Sequence, residues 1–515
     1  TDTMLSVLAG LQGNLGAANW DFSVQHNRYN RSVFGTGYAL TSAIVRNIGT
    51  WNSTTNTFSG WDPRDPNSAI PGGIRANFDK KDESVLNEVF AGVGFDVAEL
   101  PAGPISAYVG ASYQEEQFLG VVDGLAEAGV ISGGNSGTAG SANRDASAMF
   151  AEFVVPAAEG LELSFALRYD DYSDFGSTTN PKFSVSYRPM DLMMLRASWG
   201  TGFRAPTLEE LNRDSQYSYD RVVDYVRCAG LNSGSIEVCP SAVVENIVTG
   251  NKELDAETST SWNAGIVVGQ DNWNTTLDYW NIELEDTIVE LSGSNIAYRQ
   301  YLLDVAASGT GASYVPGSGA SIGTVIPGSN IIRTNPADPI SRMLQLYRPS
   351  VNAGLIETSG VDFTANYTLN TGIGDLKLQF AWSHIIERVN TLASGEGVTE
   401  NYVGDIGWPQ DRFSTTLSYV MDAHTISLYR TDIASQKNTG SDSSGNTVTI
   451  NSVPSSTLYN MTYQWATPWN VDIGLGVRNL TDEDPAFDIE GSYDSSLYYS
   501  NLFGRTYFAN MTVSF

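Results

Sequence analysis

Apolar and polar residues alternate with a period of two along much of the chain. From Leu161 to Tyr169 every odd position is apolar and every even one is small, polar or charged. Val471 to Val477, Leu376 to Trp382, Val361 to Leu369 and the closing Tyr507 to Phe515 repeat the pattern. Side chains on a strand point alternately to its two faces, so each stretch has one apolar and one wet face. Roughly seventeen strands are predicted on this signal, at about 4–15, 19–31, 84–99, 104–120, 144–156, 161–172, 179–188, 192–204, 258–270, 273–288, 353–370, 374–391, 411–421, 424–434, 456–467, 470–481 and 504–515. A soluble sandwich would show the same alternation, with its apolar faces turned to a core.

The connections separate the two possibilities. Very short links run from Leu15 to Asn19, Leu100 to Gly103, Pro156 to Gly160, Arg188 to Asp191, Gln270 to Trp273, Asn370 to Gly374, Met421 to His424 and Thr467 to Asn470. Between them fall long, Gly/Ser/Asn-rich segments at 32–82, 121–142, 205–257, 289–342, 391–410, 434–455 and 482–503. Compact soluble domains rarely carry loops beyond about 12–15 residues. Transmembrane barrels, in contrast, pair short periplasmic turns with long external loops. The expected fold is therefore all-β, a transmembrane antiparallel β-barrel in a bacterial outer membrane. Trp199, Tyr419, Trp465 and Phe515, at strand ends, would belong to its aromatic girdles.

Composition changes the picture at four points. The 515 residues include 50 Gly, 25 Tyr, 20 Phe and 11 Trp, and no apolar run reaches the roughly 18 residues of a spanning helix. A formal charge of -30 repels nucleic acid, and also the phosphates of outer-leaflet lipopolysaccharide unless divalent cations bridge them. Asp482 to Asp484 and Asp488 to Glu490 could hold Ca2+, but they lack the glycine and spacing of a known loop, and solvated faces are the simpler account. No other cofactor is expected. Cys228 and Cys239, the only cysteines, lie in one long loop. In an oxidising compartment they read as a disulfide closing about a dozen residues, worth roughly 3 kcal/mol, with two free thiols as the alternative.

Catalysis finds little support. Gly319-Ala-Ser-Ile-Gly323 matches a nucleophile elbow, but in low-complexity sequence rather than between a strand and a helix. His26, His384 and His424 are the only histidines, and none has metal-ligand or triad spacing. An enzyme is not expected. Binding is, through loop side chains that offer flat apolar area with a polar handle: Trp51, Trp61, Tyr217, Tyr219, Tyr225, Arg227, Tyr347, Arg348, Tyr402, Trp408 and Tyr493. Self-packing within the loops would use the same residues.

Specific motifs then point to a family. Gly200-Thr-Gly202-Phe203-Arg204-Ala205-Pro206-Thr-Leu-Glu-Glu-Leu211 resembles the strand-to-loop motif of TonB-dependent receptors. Leu254-Asp-Ala-Glu-Thr through Gly265 is similar to the start of their next strand. Glu357-Thr-Ser-Gly-Val-Asp-Phe363, Val477-Arg-Asn479-Leu480-Thr-Asp482 with Pro485, and Gly504-Arg-Thr-Tyr-Phe with a terminal Phe515 follow in the family's order. Physically these are structural positions, since glycines permit a bend, Pro485 ends a ladder, and Phe515, Val513 and Met511 share an apolar face suited to sealing a barrel against its first strand.

The resemblance implies a barrel of about twenty-two strands, too wide to stay unplugged. It also implies an N-terminal plug and a segment that engages the TonB energy-transducing complex of the inner membrane. Residues 1–515 read as the barrel portion alone, with plug and first strands lying outside it, and an even strand count would be restored by about five more. The expected function is energy-coupled uptake of an extracellular nutrient, with the long loops favouring an oligosaccharide or peptide over a metal chelate. A passive porin-like channel, or a barrel-anchored surface enzyme or adhesin, are the alternatives.

Overall fold

The computed structural model describes residues 1–65, 67–132, 139–392, 400–441, 447–485 and 503–513. Seventeen strands form the wall: β1 Asp2–Leu15, β2 Ala18–Leu40, β3 Arg75–Leu100, β4 Gly103–Val122, β5 Gly140–Ala158, β6 Leu161–Tyr172, β7 Gly176–Met190, β8 Met193–Arg204, β9 Glu257–Gln270, β10 Trp273–Glu290, β11 Met343–Asn370, β12 Asp375–Leu392, β13 Asp411–Met421, β14 His424–Ile433, β15 Ser456–Ala466, β16 Val471–Arg478 and β17 Thr506–Val513. Each pairs antiparallel with its neighbours in sequence, from Asp2 opposite Arg31 to Val471 opposite Val513. No helix among the described residues is long and apolar enough to cross a membrane.

Every one of the eight short links holds. β1 and β2 close with Leu15 opposite Ala18, β13 and β14 with Met421 opposite His424. At the other end the strands run well past the expected limits. β2 continues to Leu40 and β3 begins at Arg75, so parts of the segment 32–82 are wall extended into ladder rather than loop, and β11 begins at Met343, ahead of the expected 353. One outer link, Ser173 to Phe175, is as short as the turns at the opposite end.

Alternation sorts the side chains as the pattern requires. Trp20, Phe22 and Val24 of β2 share a face with Val89 of β3, and Met149 and Phe153 of β5 with Leu167 of β6, all exposed outward. Such a continuous apolar band is untenable in water and suits hydrocarbon. The three histidines mark its two rims on this outward face. His424 Nδ1 lies 2.8 Å from the Tyr463 hydroxyl and its ring stacks on Trp465, which meets Trp469 edge-on, at the short-turn end. Toward the long-loop end, His384 Nδ1 and Trp382 Nε1 both reach Asp411 Oδ1, at 2.8 and 2.9 Å, and His26 Nδ1 sits 2.7 Å from Asn87 Oδ1. Amphipathic rings with a polar edge belong at such interfaces.

The inward face is polar and ion-paired, with Arg196 bidentate to Asp278 at 2.8 and 2.7 Å and Arg168 on Asp170. Inward aromatic rings lie flat against the wall where a glycine leaves room. Phe150 packs over Gly110, where an added Cβ would fall 2.6 Å from the ring, stacks on Phe90 and meets Tyr108 at a tilt, with centroids 6.1 and 5.7 Å apart. Trp280 covers Gly360 in the same way.

Among the described residues β1 pairs only with β2 and β17 only with β16. In a meander of seventeen antiparallel strands the first and last run the same way, so no antiparallel seam can join them. Phe515 lies outside the described residues.

Candidate functional site at the long-loop end

The motifs singled out in the sequence prove to be clasps that fasten the loops to the rim. Arg204, last residue of β8, forms two parallel bonds to Glu257 at the start of β9, Nε to Oε2 and Nη2 to Oε1, both 2.7 Å. Its remaining nitrogen, Nη1, reaches Glu210, which Nη2 also approaches at 3.3 Å. Thr207 and Glu210 make a reciprocal capping box on the short helix Leu208–Asn212, whose Leu208 and Leu211 are buried. Glu257 also accepts from the Ile288 amide at 2.7 Å, tying in β10. Gly360 sits where Ser359 faces Glu387 but Gly360 faces Ile385, a bulge that only a glycine under Trp280 accommodates. Asn479 is fully buried with positive φ, bonded through its side chain to the Glu483 amide and carbonyl at 2.8 Å. Asp482 Oδ1 accepts from the Arg505 amide at 2.7 Å, tying the end of β16 to the approach of β17.

The Asp482 carboxylate is therefore committed to a turn. Asp488 to Glu490 lie outside the described residues, and among the described ones no group of three or more His, Cys, Asp or Glu converges as a metal site would.

The two longest loops, between β8 and β9 and between β10 and β11, fold into a single cap with its own core. Strand Ser241–Thr249 pairs antiparallel with Gln216–Val223 and parallel with Glu245 to Thr249 opposite Gln345 to Pro349 of β11, and Asn330–Arg333 adds a fourth strand. Helix Gly293–Ser308, capped by Ser292, packs Ile296 and Ala297 against Val222, Val244, Leu291 and Leu346, all buried. The Gly/Ser-rich stretch 309–320 is wound around one carboxylate. Buried Asp304 accepts from the amides of Gly317 and Gly319 at 2.8 Å and from the Tyr314 hydroxyl at 3.1 Å. Burial first, and then Asp304, push the Tyr314 hydroxyl above its ordinary pKa. Asp224 caps the helix Tyr225–Leu231 and receives Arg333 through two nitrogens, at 2.6 and 2.9 Å. Cys228 of that helix is disulfide-bonded to Cys239.

Six of the expected ligand residues belong to this cap. Tyr217 lies against Gly129 of the loop after β4. Tyr219 is exposed and donates to Glu245 at 2.8 Å, a bond that, with partial burial, raises its pKa. Tyr225 meets Tyr298 edge-on with centroids 5.1 Å apart, and the Arg227 guanidinium donates to the Ile340 carbonyl. Tyr347 sits mid-sheet opposite Ile247 and Asn330. Arg348 donates to the Leu291 carbonyl at 2.8 Å and pairs with Asp220 at 3.0 Å. Arg227 and Arg348 thus have structural partners, while Tyr219 keeps an open face.

The remaining candidates fall elsewhere. Trp51 packs on Phe58 across a tiny hairpin, with Arg64 4.7 Å above its ring. Arg64 also holds the Asp62 carboxyl down to about 2 through its hydrogen bonds. Trp61 is half-buried and donates its amide to Asn47. Tyr402 and Trp408 share the loop between β12 and β13, where Arg388 stands 3.5 Å over the Trp408 ring. Tyr493 lies outside the described residues.

Sequence reasoning missed Arg388 and Arg144. Arg144, nearly buried inside the rim, binds Glu116 at 2.7 Å and the Pro206 carbonyl at 2.7 Å, and borders a cleft of about 450 Å³ with Asn27, Leu86, Phe118 and Leu208. An inward arginine has no local signature, because its role depends on a loop sixty residues later in the chain. The Gly319 to Gly323 segment serves the Asp304 winding, and all three histidines lie on wall strands.

Residues 3–480 match the family described as TonB dependent receptor-like, beta-barrel. The chain belongs to the TonB-dependent receptors. As a member of that family it is an outer-membrane barrel. Among known proteins, it is 24% identical over 300 residues to the ferric enterobactin receptor PirA of Pseudomonas aeruginosa, covering 54% of this chain and 37% of that one. The siderophore receptor PirA from Acinetobacter baumannii superimposes with a TM-score of 0.64 at 15% identity, covering all of this chain and 63% of that one. A mutant ferric enterobactin receptor from Pseudomonas aeruginosa, solved with enterobactin, gives 0.62 at 17% identity and covers 100% and 63%. The TonB-dependent barrel described here therefore spans less than two thirds of the length of each of these relatives.

Proposed function

We propose that this TonB-dependent receptor captures a ferric siderophore at its long-loop end and passes it inward, driven by the inner-membrane TonB complex. The observation that carries this reading is the family match over residues 3–480, joined to likeness with receptors named for ferric enterobactin and siderophores. The earlier preference for an oligosaccharide or peptide gives way to a metal chelate. It was drawn from loop length alone, and much of that length is spent on the cap's own core.

Geometry supports a gated receptor. The inward wall is lined with fixed ion pairs and flat aromatic rings that would face a plug across the lumen, while the cap overhangs the rim through the Arg204 clasp. We take residues 1–515 as one barrel portion with its loops, and outer-membrane lipid and lipopolysaccharide as its surroundings.

Growth of a deletion strain under iron limitation tests this. Rescue by the wild-type gene on supplied ferric siderophore, lost when TonB is also deleted, is the expected result. Uptake that persists without TonB identifies a passive channel instead, and failure to grow on any ferric chelate overturns the siderophore reading.

A further inference from the structure

We propose that the imported ligand descends along one sector of the lumen wall, the uncharged, hydroxyl-lined face of β13–β15, and not along the ion-paired face of β6–β11. This inference rests on the uptake reading and adds to it the route inside the barrel.

Leu417, Ile426 and Met461 are exposed on the lipid side of these strands. Alternation therefore turns Ser414, Thr416 and Ser418 of β13, Ser427 of β14, and Thr462 and Gln464 of β15 to the lumen. Below Arg412, which begins the inward row of β13 at the long-loop end, no inward position on the three strands carries a charge. The Ser418 and Ser427 hydroxyls meet at 2.7 Å. On neighbouring β16 the inward Gly474 and Gly476 present no side chain, and the Phe508 ring lies over Gly476.

The β6–β11 sector is built differently. Arg168 pairs with Asp170 at 2.8 Å, and Arg196 is held by both oxygens of Asp278. Asp362 accepts from the Ser383 hydroxyl at 2.6 Å. Glu162, Arg196, Asp278, Trp280 and Asp362 together line a cleft of about 610 Å³.

Passage needs contacts favourable enough to admit a solute and weak enough to release it. Hydrogen bonds to ionised groups are roughly twice as strong as those between neutral groups, and bidentate ones also fix a direction. A ligand, or a chain segment that fills the lumen, is therefore held back on the charged sector. The cleft sets the carboxylates of Glu162, Asp278 and Asp362 against the single guanidinium of Arg196, which repels an anionic chelate. A hydroxyl both donates and accepts by turning its proton, so it exchanges partners with a passing oxygen-rich chelate at little cost. A plug that keeps its bonds to the charged sector opens first along β13–β15.

The test measures energy-dependent uptake of two radioiron chelates, anionic ferric enterobactin and cationic ferrioxamine B, by cells expressing the receptor, with binding read separately in de-energised cells. Ser414→Trp and Gln464→Trp place a ring in the route and should slow uptake by about tenfold while leaving binding unchanged. The same substitution at Ser164 and Ser198, inward on β6 and β8, should slow it by less than about twofold. Thr416→Glu should slow the anionic chelate more than Thr416→Gln does, and should not slow the cationic one, a discrimination that a merely distorted wall does not make. Heat-resistant mobility on cold gels confirms a folded barrel in each variant. If Ser164→Trp and Ser198→Trp slow uptake as much as Ser414→Trp and Gln464→Trp, or if none of the four slows it, the route is overturned while the receptor reading stands. If the wild type imports neither chelate, both fall.

Discussion

Arg204 and Glu257 meet in two parallel 2.7 Å hydrogen bonds that join the last residue of β8 to the first of β9, across an intervening segment folded as cap. The planar guanidinium fork matches the carboxylate, so the pair fixes direction as well as distance. It closes the neck through which the cap is attached, and Glu210 and the Ile288 amide share the same two side chains.

Breaking this pair should loosen the cap before the wall. Glu257→Ala leaves the Ile288 amide unsatisfied and Arg204 with only Glu210, costing about 1–3 kcal/mol. Limited proteolysis of variant and wild type, followed by mass spectrometry, should show faster cutting within 205–256 and an unchanged wall. Equal cutting rates would mean that the clasp holds nothing.

Reduction of the Cys228 to Cys239 bridge should act on the cap alone. Restoring the freedom of that loop costs roughly 3 kcal/mol in the chain-entropy account. Thermal melts of Cys228→Ser/Cys239→Ser should show an earlier cap transition, read by near-UV circular dichroism from the tyrosine cluster around Tyr301 and Tyr314, with the strand signal of the wall unmoved. A single shared transition at the wild-type temperature would show the bridge to be dispensable.

Gly360 has no room for a side chain, since an added Cβ would fall 2.5 Å from the Trp280 ring and 2.6 Å from the His384 carbonyl. Gly360→Ala should cost about 1–3 kcal/mol as overpacking and lower the yield of correctly assembled barrel. Pairing it with Trp280→Ala removes the ring but not the carbonyl, so partial rescue is expected. The comparison is made by counting the heat-resistant folded fraction on cold gels.

Alkaline pH should weaken the Asp304 winding. Tyr314 holds its proton more tightly folded than unfolded, so its contribution is complete below about pH 10 and is lost as pH rises through the higher folded value. Tyrosinate absorbance should show late-titrating tyrosines, Tyr314 among them, and Tyr314→Phe should remove one residue's share of that late step. A normal titration for every tyrosine would contradict the burial of this hydroxyl.

The sequence by itself determined the wall. Dyad alternation from Leu161 to Tyr169, and turns such as Met421 to His424, are local, because a strand's two faces are written two residues apart and a tight turn needs only a few residues. The motif residues Arg204, Gly360 and Asn479 were visible too, although only as positions. Tertiary structure decided what they do. Arg204 needs Glu257, Gly360 needs Trp280 from another strand, and the cap needs Val222 and Leu346 brought together from two loops. Such contacts arise from packing between segments far apart in the chain, where no periodicity records the partner. The same reason hid Arg388, whose indole partner is supplied by the following loop, and the carbonyl partners of Arg227 and Arg348, which come from distant segments.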